Sequence, residues 1–156
     1  MLAVALPTAR VDLIEAARRK CEVIERLRLA AGAANARALP ARAEEVGAGE
    51  GREAYDAVTV RAVDSLAVLV EYAAPLLRVG GVLVAWKGAV DRNEQRAGDG
   101  AAELLGLDPA GVRRVEPSEG AERRHLHVYR KTLATPDGFP RRPGMAHKRP
   151  LPGRNR

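Results

Sequence analysis

The sequence is poor in the residues that cross-link or anchor a small protein. It has one cysteine, Cys21, among 156 residues, so no internal disulfide can form, and we expect a reducing, cytoplasmic location. The most apolar stretch, residues 66–86, contains two charged residues and a glycine pair, which argues against a membrane span. The apolar start of the chain is too short for a signal peptide and lacks a basic leading region.

Several kinds of catalytic or binding motif are also missing. There is no GxxxxGK[ST] phosphate loop, and the "GAGEG" run at 47–51 precedes a strand, so it cannot present amides to a phosphate at a helix start. The three histidines are His125, His127 and His147, all distant in sequence from Cys21, and they do not form a metal-binding pattern. No Ser-His-Asp arrangement stands out. We therefore expect no metal and no covalent nucleophile.

Positive charge is concentrated at one end of the chain. The net charge is +6, but residues 113–156 hold 12 of the 26 lysines and arginines and 4 of the 20 acidic residues, a balance of +8. This predicts a polyanionic partner, with nucleic acid favoured over an anionic membrane because the segment is not an amphipathic helix. A merely solubilising tail is the alternative. We divide the chain into a domain at 1–133 and a basic Pro/Arg-rich tail at 134–156.

Apolar runs of strand length alternate with longer helical patterns along most of the chain. Strands are predicted at 10–14, 36–39, 55–63, 82–87, 112–116 and 125–130, and helices at 17–31, 65–77 and 91–105. The Gly80-Gly81 pair is expected to turn the chain between a helix and a strand. Alternation predicts a mostly parallel sheet wrapped by helices, and the last two strands, which have no helix between them, predict an antiparallel edge hairpin.

The stretch "VDLIEAARRK" at 11–20 is typical of a nucleotide-binding site. Its strand ends on Glu15, and a carboxylate at that position can accept both hydroxyls of a ribose. The alternative is a solvated acid that simply starts a helix. Three basic residues follow, at 18–20, where they oppose the helix dipole at a cost of a few tenths of a kcal/mol each. An RNA phosphate would offset that cost, although a solvated basic face is the slightly favoured explanation for each residue taken singly.

Two later strands end on a positive charge. "YDAVTVR" ends on Arg61, and an arginine at the ligand end of a central strand is costly to bury without an anion. "VLVAWK" ends on Lys87 at the same predicted edge, and the last strand opens there with Arg124 and His125. We expect this edge to carry the site.

Taken in order, these stretches resemble the RsmG family, also called GidB, of bacterial methyltransferases that act on guanine N7 of 16S ribosomal RNA. The resemblance covers essentially the whole chain and rests on the order and spacing of "VDLIEAARRK", "ARAEE", "YDAVTVRAV", "VGGVLVAWKG", "ERRHLHVYRK" and "GFPRRPGMAHKRPL". It implies a Rossmann-like α/β fold that uses S-adenosylmethionine as cofactor, with 16S ribosomal RNA or the small ribosomal subunit as partner.

The resemblance also implies positions for the cofactor contacts. Glu15 would lie near the ribose of S-adenosylmethionine, and Ala43 and Glu44 would lie beside its adenine. Arg61 would lie at the cofactor and active-site edge. No catalytic residue is assigned.

The RNA contacts follow from the same resemblance. Lys87 and Arg124 would lie near the RNA or the reacting centre, and Arg141 and Arg142 in the basic tail would contact phosphates.

The family's first strand and its glycine-rich loop have no counterpart in this sequence, where "MLAVALP" matches the helix that follows that loop. We therefore expect an α/β fold that misses its first, central strand, and a fragment whose activity is open. Two alternatives remain. One is a non-catalytic RNA-binding remnant, and the other is a nicotinamide-dependent dehydrogenase, which would leave the basic tail unexplained.

Overall fold

A computed structural model of the chain describes residues 1–61, 64–116 and 124–152. The chain divides into two compact units, Met1–Ala43 and Glu44–Arg156. The last two residues of the strand predicted at 55–63, most of the loop predicted between the last two strands, and the end of the basic tail lie outside the described residues.

The first unit is a small β-α-β arrangement preceded by one helical turn. Its elements are α1 (Leu2–Ala5), β1 (Val11–Ile14), α2 (Arg18–Ala30) and β2 (Ala36–Leu39). β1 and β2 pair in parallel from Val11↔Ala36 to Ile14↔Leu39. The helix and both strands lie where the sequence predicts them, because short apolar runs flank a long helical pattern that ends at Gly32, whose φ of +64° suits a glycine.

The second unit holds a four-stranded sheet. Its elements are α3 (Ala43–Ala48), β3 (Tyr55–Arg61), α4 (Leu66–Ala73), β4 (Leu77–Lys87), α5 (Arg92–Leu104), β5 (Leu107–Val115), β6 (Arg124–Lys131) and α6 (Met145–Lys148). The strand order is β3-β4-β6-β5. β3 and β4 are parallel, whereas β6 runs antiparallel to both β4 and β5. The predicted antiparallel edge is therefore present, with β6 inside and β5 outside.

Two elements differ from the sequence prediction around the glycines. The "GAGEG" run is not all loop, because its first two residues complete α3. Gly80 and Gly81 do not separate α4 from a strand but lie inside β4, which begins at Leu77. A Cβ on Gly81 would lie 3.0 Å from the carbonyl oxygen of Asp56, so only glycine fits where β4 bulges against β3.

β5 begins five residues before its predicted start. Pro109 and Gly111 lie within it, and both residue types favour turns. Proline is tolerated here because β5 is an edge strand, and the register against β6 shifts between Pro109 and Gly111. Sheet pairing therefore outweighs the turn preference of these two residues.

The core of the second unit lies between its sheet and the two longer helices. α4 is buried along almost its whole length, with Leu66, Val68 and Val70 at 0 % exposure. Gly98 lets α5 approach α4, since a Cβ there would lie 2.7 Å from Leu66 Cβ. The hydroxyl of Tyr129, on β6, donates a hydrogen bond to Asp99 of α5. Burial and this carboxylate raise the pKa of Tyr129 well above its usual range.

Residues 134–152 contain several turns and the short helix α6, and they pack within the second unit. The buried Lys131 ammonium donates to Leu105 O at 2.8 Å and to Thr135 Oγ1 at 2.6 Å. Burial lowers the pKa of Lys131 to about 8. Glu53 accepts the backbone N–H of Thr135 at 2.6 Å. The functional division at residue 133 stays a prediction.

The described strands form two sheets, in an α/β architecture with parallel and antiparallel pairs. This agrees with the predicted Rossmann-like class without its first strand. No helix within the described ranges is both long and apolar enough to cross a membrane.

Candidate functional site

Three predicted cationic residues meet at one edge of the second unit's sheet. Arg61 ends β3 and is in register with Trp86 of β4. Lys87 ends β4 and is in register with His125 of β6, directly after Arg124. The carboxyl ends of two parallel strands and the amino end of an antiparallel strand therefore coincide. Open α/β sheets bind ligands at such an edge.

Lys87 is held by two acceptors from different elements. Its Nζ lies 2.7 Å from Glu94 Oε1, near the start of α5, and 2.8 Å from the carbonyl oxygen of Asp64. The Lys87 and Glu94 side chains are 19 % and 25 % exposed. An ion pair this far from bulk water has a fixed geometry that a fully exposed pair lacks.

The two histidines of β6 differ in their surroundings. His125 Nδ1 lies 3.2 Å from Gly88 O, next to Lys87. His127 is 4 % exposed, and neither of its ring nitrogens has a hydrogen-bond partner among the described residues. Burial lowers the pKa of His127, and the neighbouring His125 acts in the same direction. The lowered pKa favours the neutral form of the His127 ring.

The carboxyl-terminal segment reaches this edge through His147. Its Nδ1 lies 2.5 Å from Asp64 Oδ2, and Asp64 Oδ1 accepts the N–H of Ser65 at the start of α4. His147 and Lys87 thus meet on the same residue, one on the Asp64 side chain and one on its carbonyl. The sequence did not indicate Asp64, because its partners Lys87 and His147 are distant along the chain and meet it only in the folded protein.

The two tail arginines lie in different environments. Arg141 forms a bidentate ion pair with Glu71, a buried acid within α4, with Nε 2.6 Å from Oε1. Hydrogen bonding to Glu71 raises the pKa of Arg141. Arg142 is exposed. Both were predicted to contact phosphate, and the structure gives Arg141 a partner within the protein.

Glu44, which was predicted to lie beside the adenine of the cofactor, is buried. Glu44 is 7 % exposed, and its Oε1 accepts the backbone N–H of Gly144 at 2.8 Å. Arg61, in contrast, is exposed, so the burial cost used to argue for a bound anion does not arise. Arg61 remains a candidate only because it lies at the sheet edge, next to the end of β4. Ala43, the first residue of α3, is half-buried.

In the first unit, Glu15 lies at the carboxyl end of β1. Its Oε1 accepts the N–H of Ala17 at 2.8 Å, and its Oε2 lies 3.6 Å from Lys20 Nζ. An open cavity of about 430 Å³ is lined by Glu15, Arg19, Lys20, Val23 and Ile24. Its lining combines one carboxylate, two cations and two apolar side chains.

Among the described residues no group of three or more His, Cys, Asp or Glu side chains is placed to hold a metal ion. The expectation of no metal stays a prediction.

Most of the chain matches the model of a known protein family. Residues 1–126 match the model of the GidB family, described as rRNA small subunit methyltransferase G. Two similar relatives carry the name ribosomal RNA small subunit methyltransferase G. The protein from Rubrobacter xylanophilus is 42 % identical over 97 % of this chain and 60 % of its own length. That from Symbiobacterium thermophilum is 40 % identical over 93 % of this chain and 61 % of its own length.

Solved structures give the fold. A 16S rRNA (adenine(1408)-N(1))-methyltransferase W203A mutant from Catenulisporales acidiphilia matches with a TM-score of 0.63 at 20 % identity, over 87 % of this chain and 79 % of its own. A predicted O-methyltransferase from Agrobacterium tumefaciens matches with a TM-score of 0.65 at 21 % identity, over 85 % and 67 %. These structures share the Rossmann-like methyltransferase fold with this chain.

The chain spans about three fifths of the length of the relatives named above. The family model covers the first unit and residues 44–126 of the second, including β1, Arg61 and Lys87. The predicted resemblance is confirmed: the chain belongs to the GidB family, rRNA small subunit methyltransferase G.

Proposed function

We propose that this protein transfers a methyl group from S-adenosylmethionine to guanine N7 in 16S ribosomal RNA, in the cytoplasm. One observation carries the proposal. In a chain of this family, Arg61, Lys87 and Arg124 come from three adjacent strands to one sheet edge. A cationic edge suits a polyanionic substrate, and it lies where α/β sheets bind their ligands.

The residues of the first unit fit part of the cofactor. Glu15 is a partly buried carboxylate at the end of a parallel strand, 27 % exposed. A carboxylate has about four acceptor positions, so its contacts with Ala17 and Lys20 leave capacity for a ribose diol. We assign Glu15 to the ribose and Ala43 to the adenine. From the second unit we assign Glu44 to the adenine and Arg61 to the cofactor edge.

In this reaction the main task of the protein is to position the cofactor and the guanine. S-adenosylmethionine, when bound, supplies an activated methyl group. Guanine N7 has a free lone pair at neutral pH, so no side chain needs to remove a proton. The work left for Arg61 and Lys87 is to orient the reactants and to place charge beside them. This fits a site that has cationic side chains at strand ends and no predicted nucleophile.

We assign the RNA contacts to Lys87, Arg124 and Arg142, with Arg141 acting through its place in the same segment. Arg124 and Arg142 are exposed, as phosphate-binding arginines must be. The buried pair of Arg141 with Glu71 holds the segment that carries Arg142.

The proposal is tested by radiolabelled methyl transfer from S-adenosylmethionine to small-subunit ribosomal RNA. The wild-type chain should label the RNA, and Arg61→Ala should lower the rate at least tenfold while the unfolding midpoint stays unchanged. Arg96→Ala, on α5, is the matched control and should retain the rate. Equal rates for wild type and Arg61→Ala would remove Arg61 from the site.

A second candidate function is RNA binding without catalysis. The concentration of basic residues after position 112 favours it, since that charge needs no cofactor to attract RNA. Tight binding of ribosomal RNA by a wild-type chain that neither binds S-adenosylmethionine nor labels RNA would select this function over the first.

A further inference from the structure

We infer that Glu94 is a positioning residue that fixes the Lys87 ammonium at the substrate edge. The inference rests on the proposed function, because it assigns Lys87 a role toward RNA. It adds a residue that the sequence pattern did not indicate. The observation behind it is a junction of three elements: the end of β4, the start of α4 and the start of α5.

The Glu94 side chain does not serve its own helix. It is the third residue of α5, where glutamate often reaches back to accept the backbone N–H of the N-cap residue. Here Asp91 caps α5 by accepting the N–H groups of Asn93 and Glu94, each at 2.8 Å. The Glu94 carboxylate instead turns to neighbouring elements. Its Oε1 lies 2.7 Å from Lys87 Nζ and accepts the N–H of Leu66 at 3.1 Å.

The contact with Leu66 fixes where the carboxylate stands. Leu66 is the first residue of α4 and is 0 % exposed, and the Ser65 side chain makes no capping hydrogen bond there. Glu94 therefore supplies the missing acceptor at the start of another helix. A carboxylate fixed by a buried N–H is a rigid support for a lysine.

Two fixed acceptors hold the Lys87 ammonium in a defined position. An ammonium has three N–H donors. Among the described residues, Glu94 Oε1 and the Asp64 carbonyl occupy two of them, which leaves one donor for an RNA atom. A lysine has four rotatable side-chain bonds, and ordering it in advance removes much of the entropy cost of each encounter. Without Glu94 the ammonium would keep a single neutral acceptor at this junction.

Glu94→Gln separates this role from helix capping. Glutamine keeps the length of the side chain and an oxygen for the Leu66 N–H, but it loses the charge that holds Lys87. We expect turnover on ribosomal RNA to fall at least tenfold, with the affinity for S-adenosylmethionine and the unfolding midpoint near wild-type values. Glu103→Gln makes the same chemical change at an exposed position near the other end of α5 and should behave as wild type.

A double-mutant cycle with Lys87→Met gives the decisive comparison. If Glu94 acts through Lys87, adding Glu94→Gln to Lys87→Met causes no further loss. The cycle is measured for RNA affinity as well as for turnover, so it reports on Glu94 even if the chain transfers no methyl group. A wild-type chain without turnover would count against the proposed catalysis alone.

Three results would overturn the inference about Glu94. Equal losses from Glu94→Gln in the wild-type and Lys87→Met backgrounds would show that it acts independently of Lys87. Loss of cooperative unfolding in Glu94→Gln would assign Glu94 to the fold. A wild-type chain that neither binds nor methylates ribosomal RNA would overturn this inference and the proposed function together.

Discussion

The Arg141 guanidinium and the Glu71 carboxylate form a bidentate pair across residues 70 apart in the sequence, with Nε 2.6 Å from Oε1. The Glu71 side chain is 3 % exposed and lies in a helix whose other residues are almost all apolar. A buried carboxylate in such a helix needs a partner. This pair therefore ties the basic carboxyl-terminal segment to the core of the second unit.

Removing one partner of that pair should destabilise the protein strongly. Arg141→Met leaves Glu71 buried without a counter-charge, which typically costs about 3–5 kcal/mol of the free energy of unfolding. Chemical denaturation measures the loss. Arg141→Met combined with Glu71→Gln should recover much of it, and exposed Arg142→Ala should change stability by less than about 0.5 kcal/mol. An Arg141→Met protein as stable as wild type would show that the pair does not support the fold.

The exposed arginines should instead control the salt dependence of RNA binding. Removing one phosphate-binding arginine flattens the slope of log affinity against log salt by about 0.7–0.9. Arg124→Ala and Arg142→Ala should each show this change without loss of stability. Binding titrations at several salt concentrations measure it. Slopes identical to wild type in both variants would exclude phosphate binding at these positions.

Lys131 should give the protein a stability that rises with pH in mildly alkaline solution. Its pKa is lowered to about 8 in the fold, against 10.5 for an ordinary lysine. Between these values the unfolded chain binds more protons than the folded one, so the free energy of unfolding increases as pH rises from about 8 toward 10.5. The gain is at most about 3 kcal/mol, since one pKa unit corresponds to about 1.4 kcal/mol.

Denaturation curves from pH 7.5 to 10 test this, with Lys131→Met as the comparison. The variant should lose the upward slope whatever its absolute stability. Parallel pH profiles for the two proteins would contradict the assignment.

The buried His127 should weaken the fold under acid conditions. Its pKa lies below the usual 6.5 in the folded protein, so the unfolded chain takes up a proton first and stability falls as pH drops through about 6.5. His127→Leu removes this titration. It should also hold or raise stability at pH 7 by up to about 1 kcal/mol, because both ring nitrogens are buried without partners among the described residues. A large loss of stability at pH 7 would mean that the ring has a partner in solution.

Much of the site was predictable because it sits where apolar runs end. Arg61 and Lys87 each close a strand-like run, and parallel neighbours bring such ends together. The same rule led to the prediction of Glu15, which stays a prediction. The helix α3 was missed because its six residues include a glycine and give too short a pattern for periodicity to register.

The partners of two charged residues were beyond sequence reasoning. Glu94 looks like an ordinary surface charge in its local stretch, Arg141 was predicted only as a phosphate contact, and the packing of α4 gives both their partners. Periodicity locates elements, but it does not say which side chains from distant elements meet at a junction. The burial of Glu71 could not be predicted either. A single acidic residue in an apolar helix is normally expected to face solvent.

Nucleoside mass spectrometry of ribosomal RNA treated with the wild-type chain and S-adenosylmethionine tests the central claim most directly. The account predicts a gain of 7-methylguanosine in small-subunit RNA that is absent without cofactor and strongly reduced with Arg61→Ala. Methylation at a different base or atom, or RNA that stays unmodified while the protein binds it, would contradict guanine N7 methylation by this chain.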